Sequence, residues 1–198
     1  MTIVIEGMDN TGKTTLIKQI MEECSEDMEM VKPPGPWPSK QVLDEWLKPN
    51  MERIANPSPE DKILLLDRHP LISEPIYGPG IRNFSMLSED EVMEGINTFI
   101  TASQPVIFIY CRPPESVIFN FGDREQMDGV IEKSRLLLGR YDEMIERLGT
   151  KVFHHNIHAK SKEPLSSLCI FIYDWPATGP NWVLALMKNH IEQVKRNG

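Results

Sequence analysis

Positive charge is in deficit in this chain. Its 198 residues include 21 Lys and Arg against 29 Asp and Glu, a formal net charge of −8. A broad, non-specific hold on nucleic acid needs a basic surface, so that class is excluded, although a local basic patch is not. Cysteine is scarce as well. Cys24, Cys111 and Cys169 lie far apart and form no CxxC pair or metal spacing, and their odd number leaves no complete disulfide framework. A reduced, intracellular setting is expected, in a cytoplasm, or in the host cytoplasm if the source is viral. No apolar run is long enough for a membrane span, and Met1 leads straight into Thr2-Ile3-Val4-Ile5 without the basic start of a signal peptide. No internal repeat is visible, and proline concentrates at 33–38 and 57–59, which read as loops. What remains is an ordinary globular composition, 40% apolar and 25% charged, of a size that suits one domain over 1–198.

Residues 2–6 are a short β-branched apolar run, expected as a buried strand. A glycine-containing loop follows. Residues 13–24 then carry Leu16, Ile17, Ile20 and Met21 at helical spacing. Met28–Val31 is expected as a second short strand and 40–48 as a helix. Ile63-Leu64-Leu65-Leu66-Asp67 is a continuous apolar run ending in a carboxylate, the pattern of a central parallel strand. Residues 88–101 are expected as a helix with Ser88 as N-cap and Glu91 completing a capping box. Val106–Tyr110 reads as a buried strand, 114–121 and 129–148 as helices, Val152–His155 and Cys169–Tyr173 as strands, and 181–196 as a closing amphipathic helix. Such alternation implies a parallel sheet with helices on both faces, the three-layer α/β fold of P-loop NTPases. Ligands in such folds gather at the carboxyl ends of the strands.

Residues 7–14 read Gly-Met-Asp-Asn-Thr-Gly-Lys-Thr, between the first strand and the first helix. This is the context a phosphate-binding loop requires. A phosphate cradle needs inward-pointing backbone N–H groups, and Gly7 and Gly12 allow the close bend. The expected ATP-binding set is Gly7, Met8, Asp9, Asn10, Thr11, Gly12, Lys13, Thr14 and Thr15. Lys13 supplies a charge for the β- and γ-phosphates, Thr14 a hydroxyl for Mg²⁺, and the helix adds its positive N-terminal dipole. Asp67 is placed to orient Mg²⁺-bound water, and Arg68 to clamp a phosphate. Arg124, in the segment 121–128, is expected to act as a lid over the phosphates, with Arg112 as an alternative.

The residues Ile5-Glu6-Gly7-Met8-Asp9-Asn10-Thr11-Gly12-Lys13-Thr14-Thr15, followed by Asp67-Arg68-His69 and by Ser73 and Tyr77, resemble the thymidylate kinase family, which moves the γ-phosphate of ATP to dTMP. The resemblance covers roughly 1–20, 63–82 and 105–148. It implies that Asp9 reaches the acceptor, that Arg68 contacts the phosphates of both substrates, and that Ser73 and Tyr77 line the acceptor pocket. Lys13, Asp9, Arg68 and Arg124 are then the catalytic candidates.

The acceptor half departs from the family. Its Arg-Glu-Pro-Gly-Gly segment is replaced here by Lys32-Pro33-Pro34-Gly35-Pro36-Trp37-Pro38. The span from Trp37 to Asp67 looks too short for the family's long base-gripping helix, for which only Trp46 and Arg53 stand in. The family's Tyr-Gln is Tyr77-Gly78. A buried phosphate without its arginine loses a strong charge-assisted pair. The expected acceptor is therefore a thymine-like pyrimidine, free or within DNA. The favoured form is 5-hydroxymethyluracil in DNA, as in the related bacteriophage kinases, and the alternative is dTMP or another deoxynucleoside monophosphate. A non-catalytic P-loop binding protein is the third reading. A base in DNA would leave its stack to reach ATP, and Trp37, Trp46 and Tyr77 are candidates to stack on it. Lys32, Lys40, Lys48, Arg53 and Arg82 are the cations available to a polyanion. No membrane partner is expected, and a homodimer is left open. His154 and His155, placed on a strand, would face opposite ways and share no metal ion.

Overall fold

The computed structural model describes residues 1–58, 60–120, 129–158, 167–174, 180–185, 188–189 and 192, with only the backbone at 157 and 158. The strands are β1 (Thr2–Glu6), β2 (Met28–Val31), β3 (Ile63–Asp67), β4 (Val106–Cys111) and β5 (Leu168–Tyr173). The helices are α1 (Lys13–Cys24), α2 (Lys40–Ala55), α3 (Pro70–Tyr77), α4 (Glu89–Thr101), α5 (Glu115–Ile118) and α6 (Ser134–His158). All strand pairs are parallel, in the order β2-β3-β1-β4-β5. From β1 the chain moves first to the β2–β3 side and then to the β4–β5 side. That change of direction opens a crevice at the carboxyl ends of β1 and β3, where the loops diverge.

Parallel strands buried on both faces need apolar side chains throughout, and these have them. Alternate residues feed two cores. Val4, Leu64, Leu66, Phe108 and Tyr110 face α2, α3, α4 and α6. Ile3, Ile5, Leu65, Ile107 and Ile109 face α1 together with Val183 and Leu184. The sheet thus lies between two helical layers, as the sequence pattern implies. Among the described residues no helix is long and apolar enough to cross a membrane.

α4 begins as expected, with Ser88 and Glu91 completing both halves of the capping box. Two expectations need correction. The helix expected at 40–48 runs on to Ala55 through Pro49, because Leu43, Leu47 and Ile54 keep one face buried. The span before Asp67 therefore does hold a long helix. Residues 152–155 are not a strand but the end of α6, since Val152 extends the buried stripe of Tyr141, Ile145 and Leu148. Within the described part of the helix expected at 114–121, residues 114–120, the helix spans Glu115–Ile118; of that at 129–148, the helical part starts at Ser134. Residues 181–185, 188, 189 and 192 are helical within the expected closing helix.

α3 delivers Ser73 and Tyr77 to the crevice and ends against Gly78. A Cβ at Gly78 would lie 2.7 Å from the Phe84 carbonyl oxygen and 2.9 Å from Glu74 Oε1. Backbone cannot yield as a side-chain tip can. Gly78→Ala is expected to lower the unfolding free energy by about 1–3 kcal/mol, read by urea denaturation.

Candidate active site

The loop after β1 is held in a tight curl. Gly7 has φ 141°, and a Cβ there would sit 2.7 Å from the Cys111 carbonyl oxygen, a space open only to glycine. Asn10 and Gly12 are also left-handed, at φ 65° and 87°. Asn10 is held by its amide, which donates to the carbonyls of Val117 (2.8 Å), Ile118 (3.1 Å) and Asn120 (2.9 Å). Thr11 Oγ1 and Lys13 Nζ both donate to the Met8 carbonyl, at 2.8 and 2.5 Å. The Met8 side chain itself is core. Lys13 is buried inside the curl. Burial and the neighbouring Arg68 cation bring its pKa down to about 8, against the opposing pull of Asp9 and Glu6.

Arg68 leaves β3 in a left-handed turn of φ 73°. Its N–H donates to the Ile5 carbonyl at 3.0 Å. Its guanidinium pairs with Asp9 Oδ1 at 2.5 Å and lies 4.8 Å over the Tyr77 ring. The Tyr77 hydroxyl donates to Asp9 Oδ2 at 3.5 Å, and burial pushes its pKa up to about 12. Ser73 Oγ donates to the His69 carbonyl at 3.2 Å. Asp9, Arg68 and Tyr77 therefore form one cluster, which lines a cavity of about 740 Å³ together with Lys13 and Thr14. The structure brings Asp9 through Thr15, Trp37, Asp67, Arg68, Ser73 and Tyr77 to the walls of that cavity. Thr14 and Asp67 offer hard oxygen donors beside the loop, a set that fits Mg²⁺.

Other expected residues fall elsewhere. Arg124 lies outside the described residues. Arg112 donates to Asp142 at 3.0 Å and tethers β4 to α6, away from the cavity. Trp46 packs behind the wall, 5.8 Å from Trp37 and 5.7 Å from His69. Arg53 binds Glu29 through two hydrogen bonds (3.2 and 2.8 Å), and Lys40 is tied to Asp44 and Glu91. Of the cations proposed for a polyanion, Lys32 and Arg82 reach the cavity. His154 and His155 lie on α6 rather than on a strand, so the strand-based reason against a shared metal does not apply to them. Among the described residues no group of three metal-ligating side chains occurs.

Three features were not anticipated. Glu6, at the end of β1, is fully buried and accepts the His69 N–H at 2.6 Å and the Tyr141 hydroxyl at 3.1 Å. Its signal was a carboxylate closing an apolar strand. Burial raises its pKa to about 7, against the pull of Arg68, the His69 N–H and Lys13. Glu74 is buried at the cavity wall and accepts from Arg82 and from the Met86 N–H (2.9 Å). Lys32 lies 3.5 Å from Asp67. Each of Lys32, Arg68 and Arg82 thus meets a carboxylate within the cavity.

No protein-family model matches the sequence, and no curated protein matches it. Solved structures do. The YorR protein from Bacillus subtilis, solved in complex with phosphorylated GDP, is 16% identical with a TM-score of 0.66, covering 100% of this chain and 99% of that one. The thymidylate kinase from Candida albicans is 14% identical with a TM-score of 0.54, covering 100% and 93%. The deoxyadenosine kinase from M. mycoides is 16% identical with a TM-score of 0.53, covering 98% and 100%. At such identities the likeness establishes the fold, a three-layer α/β fold that all three structures share.

Because the folded-state pKa of Glu6 lies above its unfolded value, protonation favours the folded chain. The stability Glu6 contributes is full below about pH 4.5 and is lost as pH rises through about 7. Glu6→Gln is expected to remove a decline of up to about 3 kcal/mol between pH 4.5 and 8, read by urea unfolding across that range.

Proposed function

We propose that this chain is an ATP-dependent phosphotransferase whose acceptor is a thymine-like pyrimidine. The observation that carries the reading is the continuity of one cavity from Lys13 and Thr14 to Arg68, Tyr77 and Trp37. Its volume of about 740 Å³ suits a nucleotide-sized ligand. ATP is held through the loop N–H groups and Lys13. The Thr14 hydroxyl and, through a water, Asp67 would hold Mg²⁺, which would supply neutralisation of the β- and γ-phosphate charge. The acceptor hydroxyl oxygen forms a bond to the γ-phosphorus and releases its proton to solvent, the bond from the γ-phosphorus to the β–γ bridging oxygen breaks, and ADP leaves with that oxygen. Arg68 stabilises charge on the transferring group, Asp9 orients the acceptor hydroxyl, and Arg124 is proposed as the lid cation. Ser73, Tyr77 and Trp37 line the acceptor end.

The favoured acceptor is the 5-hydroxymethyl group of 5-hydroxymethyluracil in DNA. Its support is the rebuilt acceptor side: the segment 32–38 carries no arginine, and Arg53 is bound to Glu29 rather than to the cavity. A second reading, a deoxynucleoside monophosphate kinase acting on dTMP first, is favoured by Lys32, which supplies a cavity cation that the missing arginine seemed to forfeit. The kinase folds of the structural neighbours support either reading.

The two separate by incubation with Mg²⁺ and γ-labelled ATP beside dTMP, dUMP, normal DNA and DNA containing 5-hydroxymethyluracil. Label is expected on the modified DNA; label on dTMP alone moves the assignment to the second reading. No transfer to any acceptor despite tight ATP binding would leave a binding protein. Lys13→Ala is expected to abolish transfer. Since Lys13 must be charged to pair with phosphate, kcat/KM for ATP should fall above about pH 8. A flat profile through pH 9 would contradict that role.

A further inference from the structure

Glu6 is a buried carboxylate at the carboxyl edge of the sheet that lines no part of the cavity. Its position in the β1–β3 ladder explains what it does. The ladder pairs Ile5 with Asp67, and the Ile5 carbonyl then accepts the Arg68 N–H. The next N–H, that of His69, finds no strand carbonyl and is taken by Glu6 Oε1 at 2.6 Å. Two hydrogen bonds from β1 therefore bracket the α-carbon of Arg68. Between them the backbone takes φ 73°, a conformation that a residue with a Cβ adopts only when its surroundings hold it there. This turn returns the guanidinium toward Asp9 and over Tyr77. The other oxygen of Glu6 is fixed from the far side by the Tyr141 hydroxyl at 3.1 Å, so the carboxylate is itself held by α6.

We infer that Glu6 is the positioning residue of Arg68, fixing the left-handed turn through the His69 N–H so that the guanidinium is aimed into the cavity before substrate arrives. The inference rests on the phosphotransferase reading only in assigning Arg68 a role in transfer. The backbone geometry stands without it. Glu6 touches no substrate and acts through Arg68.

A double-mutant cycle tests this. Transfer is measured for wild type, Glu6→Ala, Glu6→Gln, Arg68→Ala and Glu6→Ala/Arg68→Ala, with thermal unfolding as the check on folding. Glu6→Ala is expected to lower kcat about a hundredfold, the scale set by a misplacement of about 1 Å. Glu6→Gln keeps an amide oxygen for the His69 N–H and should stay within about tenfold of wild type. In the Arg68→Ala background, removing Glu6 should cost less than about threefold, because its effect passes through the missing arginine. Losses that multiply in the double variant overturn the inference, as does Glu6→Gln as slow as Glu6→Ala. If Glu6→Ala does not fold, Glu6→Asp, which withdraws the carboxylate by one methylene, replaces it in the cycle. A second readout needs no turnover. The Arg68 Nε–H resonance, identified by its loss in Arg68→Ala, should shift or broaden when Glu6 is replaced by Ala and persist in Glu6→Gln. An unchanged resonance in the Ala variant defeats the inference whether or not wild type transfers phosphate. A wild type that transfers to no acceptor while the resonance responds defeats the phosphotransferase reading instead.

Discussion

At the ends of β1 and β3, two N–H groups are held by β1, one by the Ile5 carbonyl and one by the Glu6 carboxylate. The rest of the crevice depends on that short stretch. It lets β3 end in a left-handed turn and starts α3 at Pro70 with the His69 ring accepting the Leu71 N–H at 3.2 Å. Through α3 it sets the positions of Ser73 and Tyr77. His69 is sealed in by Trp46 and Phe99, and burial lowers its pKa to about 3. It stays neutral across the ordinary pH range and keeps its Nδ1 free to cap the helix. A carboxylate with a pKa near 7 and an imidazole with a pKa near 3 lie next to each other here, each shifted mainly by burial.

Among the described residues, three of the four cations that line the cavity meet a carboxylate, and the fourth, Lys13, donates to the Met8 carbonyl. Lys32 meets Asp67, Arg68 meets Asp9 and Arg82 meets Glu74. For Arg68 and Arg82, which are largely covered, such pairing limits the cost of burying charge when no phosphate is present. It also means that a polyanionic ligand competes with carboxylates for the same cations. Under the proposed function, displacement would free Asp9 and Asp67 at the point where an acceptor hydroxyl and Mg²⁺-bound water need partners.

Much of the architecture was legible in the sequence because it rests on local pattern. The run at 63–67, the strand at 106–110, and the capping box at Ser88 and Glu91 each carry their signal within a few residues. The tight curl after β1 was legible for the same reason, from Gly7 and Gly12. The failures were tertiary. Residues 152–155 have the composition of a strand, yet they continue α6 because Val152 falls on its buried stripe. The helix expected at 40–48 is longer, because the apolar face through Leu47 and Ile54 carries α2 past Pro49. Glu6, Lys32 and the Glu74–Arg82 pair could not be assigned partners from sequence, since the residues they meet are brought together only by the sheet order and by the turn after α3. Arg53 is the converse case: its charge suggested a substrate contact, and Glu29 on the neighbouring strand takes it.

The most direct test is a crystal structure of the chain with Mg²⁺ and a non-hydrolysable ATP analogue. The γ-phosphate is expected within hydrogen-bond distance of Lys13 Nζ and of the Arg68 guanidinium, with Arg68 drawn off Asp9 and its left-handed backbone unchanged. A γ-phosphate bound away from both cations, or an Arg68 that stays on Asp9 and out of reach, would contradict a site in which donor and acceptor meet at Arg68.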